Sequence, residues 1–550
     1  MVSRPGKVAI CEQLLADGMS HVFGNPGTVE QGLLDALEQH GGFEYVLALQ
    51  ETVAAGIADG YARATQRPTL LQLHSGVGLG NGIGMLYQAM RGHAPLVCVA
   101  GESGVRFESM DAQMAADLVS MARPVTKWAA RVTDPSSVLR MLRRAIKIAM
   151  TPPRGPVFLA LPMDMLDADN TEAVLPTVIP DTRAVAARDL VGAAAAALAG
   201  AQRPLMLLGD GVAFAGAQQE ATAVAERLGA DVWLVDSSEP NLAAGHPLLR
   251  GQLGHMFGEV STAAVREADA VLIVGTYVFP EVFPELGNPF APDARLVHID
   301  LNSYEIAKNH PVEIGIVADP QLTLAALAGG LDNIMTTDQR AAAAARLAAR
   351  SAVPAAEPHG ANSVLAAFLR EVADRVPPEV MVFDEALTAS GLIAHYLPPR
   401  LPGHSFLTRG GSLGVGFPGA IGMKVAHPER TVLGFSGDGG SMYTFQAMWT
   451  AARYDIGAKF VVCDNRSYEL LNDNIDQYWK ERDIPHHQYP TSFDLGFPEI
   501  DFVGLAGSLS VPGYRLEKAQ DAAEAAERML ATDGPFLVDV ATEDLIVHGE

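Results

Sequence analysis

Short runs rich in Val, Leu and Ala recur along the chain, separated by longer stretches in which apolar residues return at helical spacing. In residues 1–180 the runs are HVFG, EYVLAL, PTLLQLHS, PLVCVAGE and GPVFLALP. Apolar at consecutive positions rather than alternate ones, they suit strands covered by helices on both faces, and so a mostly parallel sheet. A second series spans 190–335, with RPLMLLGDG, ADVWLVDSS, ADAVLIVGTYV and RLVHIDL as its strands. Residues 336–360 change character: the Ala-rich part of QRAAAAARLAARSAVPAAEPHG predicts a surface helix and its Pro-rich end a connector. A third series fills 361–550, with VMVFDEA, RTVLGFSGDG, AKFVVCDN and GPFLVDVAT. The expected fold is α/β, with three doubly wound parallel-sheet domains.

Length supports this division, because 550 residues exceed what one core organises. Charge narrows the partners. With 39 Lys and Arg against 64 Asp and Glu, the net charge of -25 disfavours nucleic acid and anionic membrane surfaces. An anionic ligand must then be held by local backbone donors and a cation. Cys11, Cys98 and Cys463 are too widely spaced for a disulfide framework or a CxxC metal site, which fits a reducing compartment. The opening MVSRPGKVAICEQLL lacks a signal peptide's apolar core, and no run of 18 uncharged apolar residues occurs, so a cytoplasmic protein is expected.

Candidate chemistry concentrates in the third series. Asp438 and Asn465 lie 27 residues apart, each just beyond an apolar run. On neighbouring parallel strands their oxygens would converge at one sheet edge, where a hard cation such as Mg²⁺ could bridge them to a diphosphate. Gly437, Gly439 and Gly440 allow the backbone close to a ligand. The segment from Ser441, SMYTFQAMWTAARY, reads as the following helix, and Ser467 offers a carbonyl to the cation. Two ordinary Asx turns would account for either residue alone but not for the spacing and the glycines. The GDG at 209–211 has no matching Asn and reads as a plain strand-to-helix turn, with a nucleotide site as the alternative. Glu51, in LALQETVAAGIADGYARAT, opens an apolar helix, where an ionised carboxylate is costly unless paired. By itself it could equally be a helix N-cap. Two further loops carry polar groups at strand ends: GNPGT, with Asn25 and Thr28, and LHSGVGLGNG, with His74, Ser75 and Asn81.

The GDG and D464-N465 pattern, with ALQE around Glu51, resembles the thiamine-diphosphate enzymes of the decarboxylase and acetohydroxyacid synthase superfamily, over essentially the whole chain and most strongly the benzoylformate decarboxylases. The resemblance implies thiamine diphosphate and Mg²⁺ as cofactors, with Asp438, Asn465 and Ser467 as metal ligands. It implies that Glu51 hydrogen-bonds the aminopyrimidine of the cofactor, and that Leu413, in TRGGSLGVG beside Gly411, wedges beneath it. Leu387, Thr388, Gly437, Gly439, Gly440, Ser441 and Tyr468 complete the implied cofactor set. Catalytic roles fall to Glu51, His74 and Thr28, and the substrate pocket to Asn25, Thr28, His74, Leu407, Leu470 and Leu471. The implied reaction is non-oxidative decarboxylation of an aryl or branched 2-oxo acid. The alternative is carboligation onto an acceptor aldehyde or ketone, and a nonenzymatic regulatory or structural subunit is a third reading. A homodimer is the implied minimal active unit, assembled as a homotetramer. Two departures stand out. Asp464 replaces the first Asn of the usual pair, and GTYVFPEVFPELG (275–287) has no second catalytic histidine, with Val282 near its place and Tyr277 and Glu281 as nearby polar groups. His486-His487 lie instead in a polar segment around Trp479 that reads as a lid or a solvated helix.

Overall fold

A computed structural model describes residues 3–351 and 358–542. It divides into two compact units. One holds the chain up to Pro180, Pro358–Leu397 and the chain from Phe406 onward; the other holds the chain from Asp181 to the helix Thr337–Ser351, with Pro398–Ser405. That helix is the Ala-rich one expected; the Pro-rich connector falls mostly on 352–357, outside the described residues.

Three six-stranded sheets carry the fold, and every apolar run read from the sequence lies in one of them. Numbering strands along the chain within each sheet, the first (His21–Gly24, Glu44–Leu47, Thr69–Leu73, Leu96–Glu102, Ala129–Arg131, Val157–Pro162) has the order 2-1-3-4-6-5. The third (Met381–Glu385, Ser405–Leu407, Val432–Gly437, Lys459–Asp464, Gly513–Leu516, Phe536–Ala541) repeats it. The middle sheet (Pro204–Leu208, Asp231–Val235, Leu249–Leu253, Ala270–Val274, Arg295–Asp300, Ile314–Val317) has the order 3-2-1-4-5-6. Central pairings in all three are parallel, as for Val432–Gly437 against Lys459–Asp464 and Thr69–Leu73 against Leu96–Glu102. In each order the winding reverses across strand 1, between strands 1 and 3 in the first and third sheets and between strands 1 and 4 in the middle one, and the carboxyl ends of the strands flanking that reversal form a crevice suited to a ligand.

The first and third sheets share one unit through two helices that cross at backbone contact. Glu51–Thr65 is buried along most of its length, and Gly416–Ala426 lies on it. A Cβ on Gly60 would collide with the Gly419 carbonyl, one on Gly422 with the Ile57 carbonyl, and one on Gly56 would stand 2.8 Å from Pro418 Cβ. The small residues are what allow the approach. Gly422→Val is therefore expected to cost about 1–3 kcal/mol by overpacking and to lower the thermal unfolding midpoint of this unit, read by calorimetry. The same substitution at Gly391, where an added Cβ meets nothing within 4 Å, should carry no such clash.

Nearby, Arg63 is buried with its guanidinium 4.3 Å from the Phe406 ring centre and donates to the Leu407 carbonyl at 3.1 Å. Leu407, expected as pocket wall, thus has its backbone pinned by the helix that begins at Glu51.

Candidate active site

In both outer sheets the candidate residues lie at the carboxyl edge beside the reversal. Asn25 to Thr28 follow strand His21–Gly24, and His74 follows Thr69–Leu73; these two strands flank the reversal of the first sheet. In the third, Leu387 and Thr388 follow Met381–Glu385 and Asp438 follows Val432–Gly437, the equivalent pair.

Glu51 is not the cap of its helix. The Gln50 side chain takes that part, accepting from the amides of Thr52 and Val53 at 2.6 and 3.2 Å. Glu51 is 7 % exposed, and its Oε2 accepts from Asn81 Nδ2 at 2.9 Å. Gly78 gives it room, since a Cβ there would lie 2.7 Å from Glu51 Oε1. The carboxylate is held by one side-chain donor and keeps acceptor capacity.

His74 has a partner that sequence reading did not find. Its Nδ1 lies 2.8 Å from Oε2 of Glu30, which is 2 % exposed. Glu30 Oε1 accepts from the amides of Ser75 and Gly101 at 3.2 and 2.7 Å, so the carboxylate is fixed from three sides. An ionised Glu30 only accepts, which makes Nδ1 the donor and leaves Nε2 to act. Gly27 lies so close that a Cβ would overlap the His74 ring. Thr28 is exposed, and Asn25 donates to the Ala48 carbonyl at 2.8 Å while its own carbonyl accepts from Gln72 at 3.0 Å. Glu30→Gln removes the charge that sets the tautomer, so activity is expected to fall about 10- to 100-fold with a shifted pH-rate profile, read in steady-state kinetics, while the unfolding midpoint changes little.

The two residues expected to ligate a cation follow neighbouring strands, Asp438 after Val432–Gly437 and Asn465 after Lys459–Asp464. Asp438 is 4 % exposed; Oδ1 accepts from the Gly439 amide at 2.7 Å, and buried Oδ2 has no hydrogen-bond partner. Burial pushes its carboxyl up to about 7, the Gly439 amide opposes this, and the neighbouring charge of Asp464 adds to the rise. A buried carboxylate oxygen with no donor beside a second carboxylate fits a cation. Asn465 Oδ1 accepts from the Ser467 amide at 3.0 Å. The turn carrying them is braced, since Leu495 N donates to the Arg466 carbonyl and Tyr468 N to that of Phe493. Tyr468 packs on Gly439, where a Cβ would strike its ring, while Gly437 faces open space. The expected continuous helix after Ser441 is instead two short helices, Asp438–Ser441 and Ala447–Arg453. Helix N-terminal amides are thus a single turn at Asp438, whose carboxylate already takes one of them.

Leu413 is half-buried between Gly411 at φ 70° and Gly414 at φ 92°. This loop is anchored by another residue that sequence reading left without a role, Glu385, whose carboxylate accepts from the amides of Gly414 and Gly416. Burial pushes Glu385 up to about 7 against those two donors. Leu387 holds φ 50°, an uncommon conformation for a branched residue and a mark of a constrained turn. Leu470 and Leu471 open the helix Glu469–Glu481, half-buried and 40 % exposed respectively. Trp479 on that helix is buried against His487 and stacked on Tyr489 at 5.7 Å, while His486 and His487 are themselves exposed.

The middle sheet differs at its own reversal. A Cβ on Gly209 would strike Thr276 and one on Gly211 would stand 2.6 Å from Gly275 Cα. Asp210 accepts from the hydroxyls of Ser237 and Ser238 and from the amides of Ser238 and Glu239. The GDG is a strand-to-turn junction closed by the chain's own atoms.

Comparison with known proteins identifies the arrangement. Residues 5–121 match the N-terminal TPP binding domain of thiamine pyrophosphate enzymes, 191–327 the central domain and 388–540 the C-terminal TPP binding domain. Benzoylformate decarboxylase of Pseudomonas aeruginosa is 30% identical over 97% of this chain and 98% of its own. The chain is a thiamine pyrophosphate enzyme. Among other relatives of this enzyme, the acetolactate synthase isozyme 2 large subunit of Escherichia coli is 29% identical, covering 98% of this chain and 95% of its own. A solved thiamine diphosphate-dependent 4-hydroxybenzoylformate decarboxylase of Rhodococcus jostii superposes with TM-score 0.83 at 27% identity, over 98% and 99% of the two chains. Relatives of this thiamine pyrophosphate enzyme therefore divide between decarboxylases and synthases. Among its described residues no helix is long and apolar enough to cross a membrane.

Proposed function

We propose that this enzyme decarboxylates a 2-oxo acid of the benzoylformate kind to an aldehyde and CO2, using thiamine diphosphate and Mg²⁺. The observation that carries this reading is the His74–Glu30 pair at the reversal of the first sheet, next to Thr28. The bound cofactor supplies a carbon nucleophile and an electron sink for the departing carboxylate. The chain supplies the rest. Asp438, Asn465 and the Ser467 carbonyl would hold the cation, Glu51 would present its carboxylate to the aminopyrimidine, and Leu413 would pack against the cofactor rings. The Thr28 hydroxyl orients the substrate carboxylate. As CO2 leaves, the former carbonyl carbon takes one proton, and His74 Nε2 is the group that delivers it.

The site is completed by a second copy of the chain. Leu49, two residues before Glu51, is 47 % exposed, and Val77, next to the Gly78 that adjoins the Glu51 carboxylate, 67 %. Apolar side chains so close to a buried carboxylate mark a face that a homodimer covers. A homotetramer would pair two such dimers.

Carboligation is the second reading. It is favoured by the loop after Gly275, which has Val282, 58 % exposed, where a second histidine is expected. With one proton donor fewer, the last step is slowed and an acceptor aldehyde can compete. Purified enzyme with Mg²⁺ and thiamine diphosphate, offered aryl and branched 2-oxo acids, is expected to release CO2 and aldehyde in equal amounts. Absence of CO2 from every substrate would sink the decarboxylase reading, and a 2-hydroxyketone as main product with added aldehyde would favour the second.

A further inference from the structure

Asp464 stands where the resembling family has the first Asn of its pair, and the structure shows what this chain does with the added charge. Its Oδ2 meets Arg515 Nη1 at 2.5 Å, and the same nitrogen meets Asp539 Oδ2 at 2.6 Å. Both carboxylates are almost fully buried, at 4% and 3% exposure, while the arginine side chain is 23% exposed. Arg515 sits on the edge strand Gly513–Leu516, directly opposite Asp539 on Phe536–Ala541, and reaches across that strand to the end of Lys459–Asp464. The other oxygen of Asp464, Oδ1, accepts from the Arg466 amide at 3.2 Å, and its carbonyl accepts from Thr542 N at 2.8 Å. Asp464 is thus tied at three atoms, immediately before Asn465. On its other side lies Asp438, whose Oδ2 is buried without a partner.

We propose that Arg515 is the positioning residue of the cation end: by clamping Asp464 to Asp539 it keeps a second carboxylate out of the coordination shell and fixes the turn that aims Asn465 and Ser467. This rests on the cation reading given above. An amide at position 464 would need no such restraint. A carboxylate beside Asp438 does, because a cation draws any nearby anionic oxygen that can rotate. Mg²⁺ demands near-octahedral geometry at short distances, whereas Ca²⁺ accepts six to eight oxygens in looser arrangements. Releasing Asp464 therefore penalises Mg²⁺ and is tolerated by Ca²⁺. Nη1 of an arginine carries two N–H donors, one for each carboxylate, and the planar guanidinium holds them in fixed directions, as a freely rotating ammonium does not.

The test compares wild type, Arg515→Met, Asp464→Asn and the double variant by calorimetric titration with MgCl2 or CaCl2 at saturating thiamine diphosphate, with unfolding midpoints measured on cofactor-free protein. Arg515→Met is expected to weaken Mg²⁺ binding at least tenfold and Ca²⁺ binding less than threefold. Asp464→Asn alone should leave both within twofold of wild type, and the double variant should regain at least fivefold in Mg²⁺ affinity over Arg515→Met. A general structural role predicts a different pattern: both cations weakened alike, a lowered midpoint and no rescue by Asp464→Asn. That pattern, or unchanged Mg²⁺ affinity in Arg515→Met, overturns the proposal. Failure of the wild type to bind Mg²⁺ with thiamine diphosphate would overturn the cation reading itself, and is distinguishable because it appears before any substitution is made.

Discussion

Glu51→Gln is expected to lower kcat by about 10²–10⁴-fold, the range for loss of a positioned acid–base group, while thiamine diphosphate still binds. Glutamine has the size of glutamate and keeps an acceptor for Asn81 Nδ2, now 2.9 Å from Oε2, so the local packing survives. What it loses is the capacity to exchange a proton with a ring nitrogen. Gln50, which caps the helix through the amides of Thr52 and Val53, is unaffected, and the unfolding midpoint should stay where it is. Steady-state kinetics with a parallel calorimetric binding measurement checks this. Equal loss of binding and turnover would place Glu51 in the scaffold instead of the chemistry.

Asp438→Ala has two expected effects of opposite sign. Mg²⁺-dependent retention of thiamine diphosphate should weaken by more than about 100-fold, beyond the range seen when a residue merely supporting a metal ligand is removed. The cofactor-free protein should become more stable above neutral pH. In the folded chain the Asp438 carboxyl is raised from 3.8 to about 7, chiefly by burial. A raised carboxyl stabilises the fold fully below its ordinary value and loses that contribution as pH rises through about 7, so the ionised group opposes folding at pH 8. Removing it removes the opposition. Unfolding midpoints of both proteins at pH 5 and pH 8, without cofactor, measure this: the opposition begins above pH 3.8 and is complete above about 7, so the variant should gain more relative to wild type at pH 8 than at pH 5. A buried group that opposes folding until a ligand arrives is what a binding site is expected to contain.

The sequence exposes the two kinds of position very unequally. PTLLQLHS, RTVLGFSGDG and AKFVVCDN announce central strands because helices cover both their faces, and the residues at their ends, His74, Asp438 and Asn465, are legible with them. Within the three large sheets, the strands without an apolar run in the sequence are Ala129–Arg131, Leu249–Leu253, Ile314–Val317, Ser405–Leu407 and Gly513–Leu516, all at sheet edges. An edge strand is short and half-wet, so LRGQL or GYRL carries no continuous apolar run. Among site residues, those that act through another are the hidden ones. Glu30 meets His74 across 44 positions and Arg515 meets Asp464 across 51. Such pairs follow from tertiary folding and have no period to read. Glu385 is hidden differently, inside an apolar strand, where a charged residue serves the loop at 414–416. The helix expected from SMYTFQAMWTAARY breaks at 442–446 because Thr444 instead donates to the Gly414 carbonyl at 2.6 Å, tying the segment to the Leu413 loop.

The glycine crossing of Glu51–Thr65 over Gly416–Ala426 also bears on how such enzymes can be recombined. Two helices touching through backbone atoms recognise each other by shape alone, and neither tolerates a partner with a side chain at the contact. A chimera that takes its first domain from one relative and its third from another must therefore carry Gly56, Gly60 and Gly422 as one inherited block. The segment from Glu469 to Tyr489, with many exposed positions, carries no such constraint and can be exchanged independently of that block.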